Sequence, residues 1–268
     1  MGRAPATLRL ATVNIASGRD DDGQVRLPRL AEALAGLDAD VIALQEVDHL
    51  LPRSGTTDQT ALLGAACGVD GPPWDVRFAA ALHGTPGPGG DARPAGTSPT
   101  DVPSYGVALL SRHPVAWTRE LRLAPARGRR PIPLPPGTRP PIWFLADEQR
   151  VALAAVVHTP TGDVTVVTTH LSFAPGRAAI QLRRLRAWAA DLPRPLVVMG
   201  DLNLPGTLPR RLTGWTPLVQ ARTFPAGRPR VQLDHVLADG LGHAVLAADA
   251  VSIGGSDHRG LVVDLLDT

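Results

Sequence analysis

The segment Gly200-Asp201-Leu202-Asn203 places an acid and an amide two residues apart, directly after the apolar run 195–199. A carboxylate can accept a proton from water, and an amide can donate to the same water or to a phosphoryl oxygen. The apolar run predicts a buried strand, and in extended backbone residues two apart point to the same side. We therefore expect Asp201 and Asn203 to act together. An ordinary strand-end turn is the alternative, since Asp and Asn both favour turns.

Six further polar side chains lie at or near the ends of predicted strands. They are Asn14, Glu46, His170, Asp234, Asp257 and His258. Each has a structural explanation when it is taken alone. Brought together, however, they would crowd carboxylates into one site, where like charges raise each other's pKa and a cation relieves the repulsion. Oxygen ligands favour a hard cation, Mg²⁺ or Mn²⁺, and such a site suits phosphoester hydrolysis.

The pattern of apolar residues predicts the elements that must position these side chains. Helices are predicted by leucine spacing or caps, and strands by short β-rich apolar runs. The predicted helices are 26–37, 58–68 and 177–190. The predicted strands are 8–15, 40–47, 75–82, 105–111, 115–123, 150–158, 163–171, 195–199, 231–237, 243–251 and 261–266.

Two strand pairings can be predicted from the turns between neighbouring strands. The segment 115–123 is expected to pair with 105–111 across the His113-Pro114 turn, and 150–158 with 163–171 across a hairpin turn. The stretches 83–104 and 124–141 are expected to be irregular loops, because they are rich in glycine and proline.

Composition limits the class of protein. The chain has 268 residues with 44% hydrophobic content, which is enough for the core of one domain over 1–268. The single cysteine, Cys67, excludes an internal disulfide and a cysteine-based zinc site. No apolar run approaches membrane-spanning length and no signal peptide is evident, so a soluble, cytoplasmic, monomeric protein is expected. The basic residues are all arginine, and the net charge of +2 is weak support for a polyanionic partner.

Seven short motifs resemble those of the endonuclease/exonuclease/phosphatase superfamily, the metal-dependent phosphodiesterases and phosphatases related to DNase I. They run in that family's order and extend from residue 12 to residue 258. The motifs are Thr12-Val13-Asn14, Leu44-Gln45-Glu46, the segment 105–111, Thr169-His170-Leu171, the segment 200–203, Leu233-Asp234-His235 and Ser256-Asp257-His258. The resemblance implies an α/β fold, a DNase I-like four-layer sandwich in which two packed mixed β-sheets are flanked by helices.

The resemblance also implies which residues bind the metal and activate water. Glu46 would bind the catalytic Mg²⁺ or Mn²⁺, with Asn14 and Asp257 beside it as ligands or supporting groups. Asp201 would orient or deprotonate the attacking water, and Asn203 would position the phosphate or Asp201. The motifs leave both Asp201 and His258 as candidates for the base.

Four further side chains are candidates for contacting the phosphate or for supporting those that do. His258 would contact phosphoryl oxygens with Asp234 as its carboxylate partner, and His170 would donate to the phosphate. Arg150, in a segment that resembles the family's Glu-Pro-Arg, is either a phosphate-binding residue or part of a structural salt bridge.

Individual residues within and near the motifs indicate which branch of the family the chain resembles. Ala16, His170 and the segment 230–232 depart from the pattern of the abasic-site DNA-repair branch. The residues Asp48, Arg53, Ser54, Asp58 and Gln59 resemble small bacterial members whose substrate is often unassigned. We therefore expect a Mg²⁺- or Mn²⁺-dependent phosphodiesterase or phosphatase acting on a phosphate ester. A nuclease acting on DNA or RNA and a catalytically silent binding module on the same fold are the alternatives.

Overall fold

The computed structural model describes residues 7–20, 22–69, 71–87, 89–133, 142–160, 162–174, 176–242 and 244–266. In these residues two β-sheets pack face to face, and helices cover their outer faces. The helices are α1 (Leu27–Ala35), α2 (Gln59–Cys67), α3 (Arg177–Ala189) and α4 (Leu208–Thr213). The described part of the chain contains no helix with the length and apolar composition that a membrane crossing needs.

The first sheet has the strand order β14-β15-β1-β2-β5-β3-β4. Its strands are β1 (Thr7–Asn14), β2 (Val41–His49), β3 (Asp75–His83), β4 (Arg93–Pro94), β5 (Ser104–Ser111), β14 (Val245–Val251) and β15 (Gly260–Leu266). The pair β1 and β2 is parallel, and the other pairs are antiparallel. The carboxyl ends of β1 and β2 therefore lie at the same edge.

The second sheet has the strand order β12-β13-β11-β10-β9-β6. Its strands are β6 (Val115–Leu123), β9 (Arg150–Thr159), β10 (Gly162–Thr169), β11 (Leu196–Asp201), β12 (Thr216–Pro217) and β13 (Asp234–Asp239). Here β10 and β11 form the parallel pair, and Asp234, at the start of antiparallel β13, is in register with Asp201 at the end of β11. A separate hairpin joins β7 (Arg129–Pro133) and β8 (Ile142–Ala146).

Three apolar clusters separate the four layers. One lies between the sheets and contains Leu109 and Leu153. The second packs α3 and α4 on the second sheet, and the third packs α1 and α2 on the first. Local sequence explains the helices: Leu27, Leu30 and Leu34 form the buried stripe of α1, whose second residue is a proline. The fold therefore confirms the predicted arrangement of two packed mixed sheets with helices outside.

The structure contradicts one predicted pairing and modifies two loops. Strand β6 does not pair with β5; it crosses to the second sheet and pairs with β9, while β5 lies between β2 and β3. The turn signal at His113-Pro114 is local and does not report which sheet a strand joins. The β9–β10 hairpin is confirmed. The loop 83–104 contains β4, and the stretch 124–141 contains β7, although its residues 134–141 lie outside the described ranges.

A β-bulge in β2 presents Glu46 at the end of the first sheet. The pairing of β2 with β5 shifts register between Gln45 and Val47, and Glu46 has a positive φ of 57°. Gly106 of β5 pairs with Val47 on one side and with Ala80 on the other, next to a second register shift in β3. A Cβ atom at Gly106 would lie 1.9 Å from the carbonyl oxygen of Ala79. The two bulges therefore depend on a residue without a side chain between them.

We expect Gly106→Ala to destabilise the protein by about 1–3 kcal/mol, because the methyl group must displace the backbone of β3 at Ala79 and Ala80. Chemical denaturation of the purified variant measures the change. The matched control is Gly96→Ala, since a Cβ atom at Gly96 meets nothing within 4 Å. Equal stability of the two variants would contradict the close approach at Gly106.

Candidate active site

The polar strand ends surround one cavity of about 960 Å³ at a common end of the two sheets. Seven of the predicted residues line it and two lie beneath it, and they come from both sheets, so the site lies between the sheets. The lining residues are Glu46, Arg150, His170, Asp201, Asn203, Asp257 and His258. Asn14 and Asp234 are fully buried and contact this group from beneath.

The buried amide of Asn14 joins the two halves of the site. Its Nδ2 donates to Glu46 Oε1 at 3.0 Å and to Asp201 Oδ2 at 3.2 Å, while its Oδ1 accepts from the backbone N–H of Ala16 at 3.1 Å. The amide orientation is assigned from these partners, because both carboxylates can only accept. Asn14 thus positions Glu46, from the first sheet, against Asp201, from the second.

Asp201 and Asn203 both face the site, but not for the reason predicted from extended backbone. Asn203 has a positive φ of 49°, and its backbone N–H donates to Asp201 Oδ1 at 2.9 Å. This is a tight turn in which the acid side chain caps the residue two positions on. The side chain of Asn203 then donates to the carbonyl of Leu171 at 3.0 Å and lies 3.2 Å from His170 Nε2. The strand-end turn and the functional interpretation are therefore not alternatives, because the turn is what directs both side chains towards the site.

Asp234 and His258 form a buried hydrogen-bonded pair. His258 Nδ1 lies 2.8 Å from Asp234 Oδ2, and its Nε2 points towards Asp201 Oδ2 at 3.8 Å. The ring also packs against Phe224, with 4.9 Å between ring centroids. Burial opposes the charge on His258, but the hydrogen bond and the charge of Asp234, together with the charge of Asp201, raise the pKa of His258 to about 9.

His170 and Arg150 form a second polar pair on the other side of Asp201. Arg150 Nη1 lies 3.3 Å from His170 Nδ1, and His170 Nε2 lies 3.5 Å from Asp201 Oδ2. Because a guanidinium can only donate, Nδ1 accepts from Arg150 and the ring hydrogen is assigned to Nε2, beside Asp201 Oδ2. The amide nitrogen of Asn203 is also a donor, so it donates to the Leu171 carbonyl and not to Nε2. Burial, with the charge of Arg150, lowers the pKa of His170 well below its ordinary value. The imidazole is therefore neutral.

The structure does not support the salt-bridge alternative for Arg150. In the described ranges, no carboxylate lies within 4.0 Å of its guanidinium, and its buried Nε has no hydrogen-bond partner. The guanidinium instead lies beside His170 and 6.0 Å from the ring centroid of Phe173. An incompletely paired cation in the cavity is suited to an anionic ligand.

Burial raises the pKa of two carboxyl groups in the site. Desolvation, followed by the charge of Asp234, raises the pKa of Asp201 to about 7, against the opposing effect of His258. Desolvation also raises the pKa of Glu46, and the charge of Asp257 adds to this effect while the hydrogen bond from Asn14 opposes it. The negative charge in the site is therefore not fully compensated by the described side chains.

The oxygen donors fit a hard divalent cation. In the described ranges the nearest basic side chain to Glu46 is the neutral imidazole of His170, with Nδ1 at 4.0 Å, and Asp257 is an exposed carboxylate on the same cavity. A second group, Asp201, Asp234 and His258, has ligand atoms within 4.8 Å of one another. In that group, however, Asp234 and His258 are occupied with each other. Glu46 and Asp257 are consequently the carboxylates most available to a cation.

The motifs assign no chemical role to three other side chains of the cavity that are aromatic or charged. Tyr105, Arg53 and Phe173 all line the cavity, and Phe173 is 42% exposed. Tyr105 starts a predicted strand, and burial raises the pKa of its phenol well above the ordinary value, so the hydroxyl stays protonated. Arg53 belongs to the 48–59 pattern, which is the one signal that pointed to it.

Comparison with known families identifies a match over most of the chain. The model of the Endonuclease/Exonuclease/phosphatase family matches residues 11–258. A search of curated proteins finds no match. A solved endonuclease/exonuclease/phosphatase from Beutenbergia cavernae is 26% identical, with a TM-score of 0.68, over 97% of this chain and 72% of that one.

Two more distant structures share the fold. Humanized D. rerio TDP2 is 14% identical with a TM-score of 0.61, over 97% of this chain and 98% of that one. The mannosyl-6-phosphatase Bt3783 of Bacteroides thetaiotaomicron is 14% identical with a TM-score of 0.63, over 97% and 99%. Because the family model covers nearly the whole chain, this protein belongs to the Endonuclease/Exonuclease/phosphatase family.

Proposed function

We propose that this protein is a divalent-metal-dependent hydrolase of phosphoester bonds, a phosphodiesterase or a phosphatase. The observation that carries the proposal is the arrangement around Asp201. One of its oxygens accepts from Asn203 and the other from Asn14, and the imidazoles of His170 and His258 face it from two sides. A buried acceptor surrounded by donors is suited to activating water beside a phosphoryl group.

Glu46 and Asp257 would hold the metal, which we propose to be Mg²⁺ or Mn²⁺. Mg²⁺ and Mn²⁺ are favoured over zinc because the residues that line the cavity offer oxygen donors and include no cysteine. When bound, the ion would neutralise phosphate charge and polarise the phosphoryl group. Asn14 would act by orienting Glu46, because its N–H groups face the carboxylates and its oxygen is bound to backbone.

Asp201 would be the general base. The water oxygen would bond to phosphorus while the ester P–O bond breaks, and Asp201 would accept the proton that the water loses. The leaving alkoxide would take up a proton from solvent and depart as the alcohol. Its two oxygens are held by Asn14 and Asn203, so the carboxylate cannot rotate away from the cavity. Asp201 is preferred to His258 in this role because Nδ1 of His258 is bound to Asp234, which favours the imidazolium as a donor.

The remaining side chains would bind the phosphoryl oxygens. His258 would donate from Nε2, supported by Asp234, and His170 would donate from its own Nε2, supported by Arg150. Asn203 would position Asp201 through its backbone N–H, and would help to position the phosphate. Charge-assisted donors fixed in position stabilise the charge of a phosphoryl transition state without reorganisation.

Two alternatives to this function are a nuclease, which differs in its substrate, and a binding module, which catalyses no reaction. Nuclease activity on DNA or RNA uses the same chemistry, and a D. rerio TDP2 structure with a similar fold contains a single-strand DNA product. A catalytically silent binding module is disfavoured because the acids and imidazoles are present and mutually oriented. A screen of phosphomonoesters, phosphodiesters, DNA, RNA and phospholipid headgroups with Mg²⁺ and Mn²⁺ distinguishes these functions.

Asp201→Asn should lower kcat by at least about a hundredfold, because the amide cannot accept the proton. Hydrolysis of the best substrate from the screen measures the loss, and circular dichroism confirms folding. The exposed Asp191→Asn is the matched control and should retain activity. Wild-type turnover by Asp201→Asn would exclude Asp201 as the base.

Glu46→Gln should raise the Mg²⁺ concentration needed for half-maximal activity by about tenfold or more, because a charged ligand becomes neutral. Titrating Mg²⁺ at saturating substrate measures the shift. Glu32→Gln, an exposed change on α1, should leave the titration unchanged. A Glu46 variant with wild-type metal dependence would remove this residue from the ligand set.

Asp234→Asn should lower the pKa of His258 from about 9 towards about 6.5, because the anionic acceptor is removed. NMR titration of the ring in metal-free protein measures it. Since the folded pKa is raised, His258 contributes stability below about pH 6.5 that is lost as pH rises to about 9, and the variant should lack this dependence. An unchanged pKa would show that Asp234 does not support the imidazolium.

A further inference from the structure

An ion pair beside the cavity has no part in the proposed chemistry. Arg53 binds the fully buried carboxylate of Asp48 in a bidentate manner, with Nε donating to Oδ2 at 2.8 Å and Nη2 to Oδ1 at 2.6 Å. Both residues belong to the 48–59 pattern. The fork geometry holds the plane of the guanidinium in one orientation.

A second group of hydrogen bonds fixes this pair to the loop after β1. Ser17 Oγ donates to Asp48 Oδ1 at 3.0 Å and accepts from Arg53 Nη2 at 3.1 Å. Gln59 accepts from the backbone N–H of Asp48 at 2.9 Å and donates to the carbonyl of Ser17 at 2.8 Å. The guanidinium is therefore preorganised before any ligand binds.

One edge of the guanidinium remains available to a ligand. Arg53 lines the cavity with its side chain 19% exposed, and it lies over the ring of Tyr105 at 5.4 Å from the centroid. Its Nη1 has no hydrogen-bond partner in the described part of the chain. The hydrogen bonds to Asp48 and Ser17 use only Nε and Nη2, so they leave the two N–H donors of Nη1 free to bind a ligand.

Arg53 is separate from the groups proposed to bind the scissile phosphate. Its hydrogen bonds go to Asp48 and Ser17, and none is shared with Asp201, His170 or His258. It comes from the loop after β2, whereas Asp201 and His170 follow strands of the second sheet. The cavity of about 960 Å³ that they share is large enough for a nucleotide-sized ligand.

We propose that Arg53 is a specificity-determining residue that binds a second anionic group of the substrate. Resting on the proposed function, this names the substrate class: a phosphoester that carries a further phosphate or carboxylate beyond the group being hydrolysed. A preorganised guanidinium with two free donors is suited to such a group, since planar carboxylate and phosphate oxygens match its geometry.

The test compares two ligands that differ by one phosphate. Thymidine 5′-monophosphate and thymidine 3′,5′-bisphosphate are titrated calorimetrically into the full chain in Ca²⁺ buffer. We expect the wild type to bind the bisphosphate about tenfold more tightly, and Arg53→Gln to bring the ratio of the two Kd values close to one. The double variant Asp48→Asn with Arg53→Gln should do the same, without leaving a buried unpaired carboxylate.

Arg112→Gln is the matched control. Arg112 also pairs with an aspartate, Asp38, and lies over an aromatic ring, that of Trp74, but it does not line the cavity. Its variant should keep the wild-type ratio. If Arg53 had a purely structural role, its replacement would weaken the binding of both ligands equally and leave the ratio of their Kd values unchanged. That result would overturn the proposal. Equal binding of the two ligands by the wild type would overturn it as well.

The proposed hydrolysis is read out separately. Release of p-nitrophenol from thymidine 5′-(p-nitrophenyl phosphate) in Mg²⁺ reports turnover of a substrate that lacks the second phosphate. Absence of turnover of this ester and of every ester in the metal-ion screen, with a retained binding preference, would refute the hydrolase and leave Arg53 as an anion-binding residue. Turnover without the preference would refute only the role of Arg53.

Discussion

The site depends on the buried amide of Asn14, which bridges a carboxylate of each sheet. Its two N–H donors meet Glu46 and Asp201, which are 155 residues apart in sequence by their numbering and belong to separate sheets. The parallel pair in each sheet brings its strand ends to one edge, and packing the sheets places these edges together. A single hydrogen-bonding group can then set the separation of the two acids.

Backbone strain is concentrated around the same cavity. In the described ranges seven non-glycine residues have positive φ, and four of them line the cavity: Ala16, Ser17, Glu46 and Asn203. Such conformations cost about 1–3 kcal/mol each and persist only where the surrounding structure enforces them. Here the two packed sheets enforce them, and each strained residue directs a side chain or an N–H group that the site uses.

Several polar groups of the site are bound to each other in separate pairs, and this leaves other charged groups at the cavity without a partner of opposite charge. Asp234 is taken by His258, and Asp48 by Arg53, so neither competes for the groups that face the cavity. Glu46 keeps no close cationic partner in the described part of the chain. The low dielectric constant of the surroundings strengthens the attraction within each pair. It also strengthens the attraction of an unpaired carboxylate for a cation.

The sequence by itself determined the strand ends and the identity of the polar residues, because apolar periodicity and local motifs are encoded over a few residues. The four layers were expected only from the resemblance of those motifs to a known family. It predicted seven of the cavity residues, and the hairpin of β9 with β10, correctly as neighbours. Only the tertiary structure decided that β6 joins the second sheet, that a bulge presents Glu46 and that Arg53 faces the cavity. These features depend on contacts between residues distant in sequence, whose pairing no local pattern records.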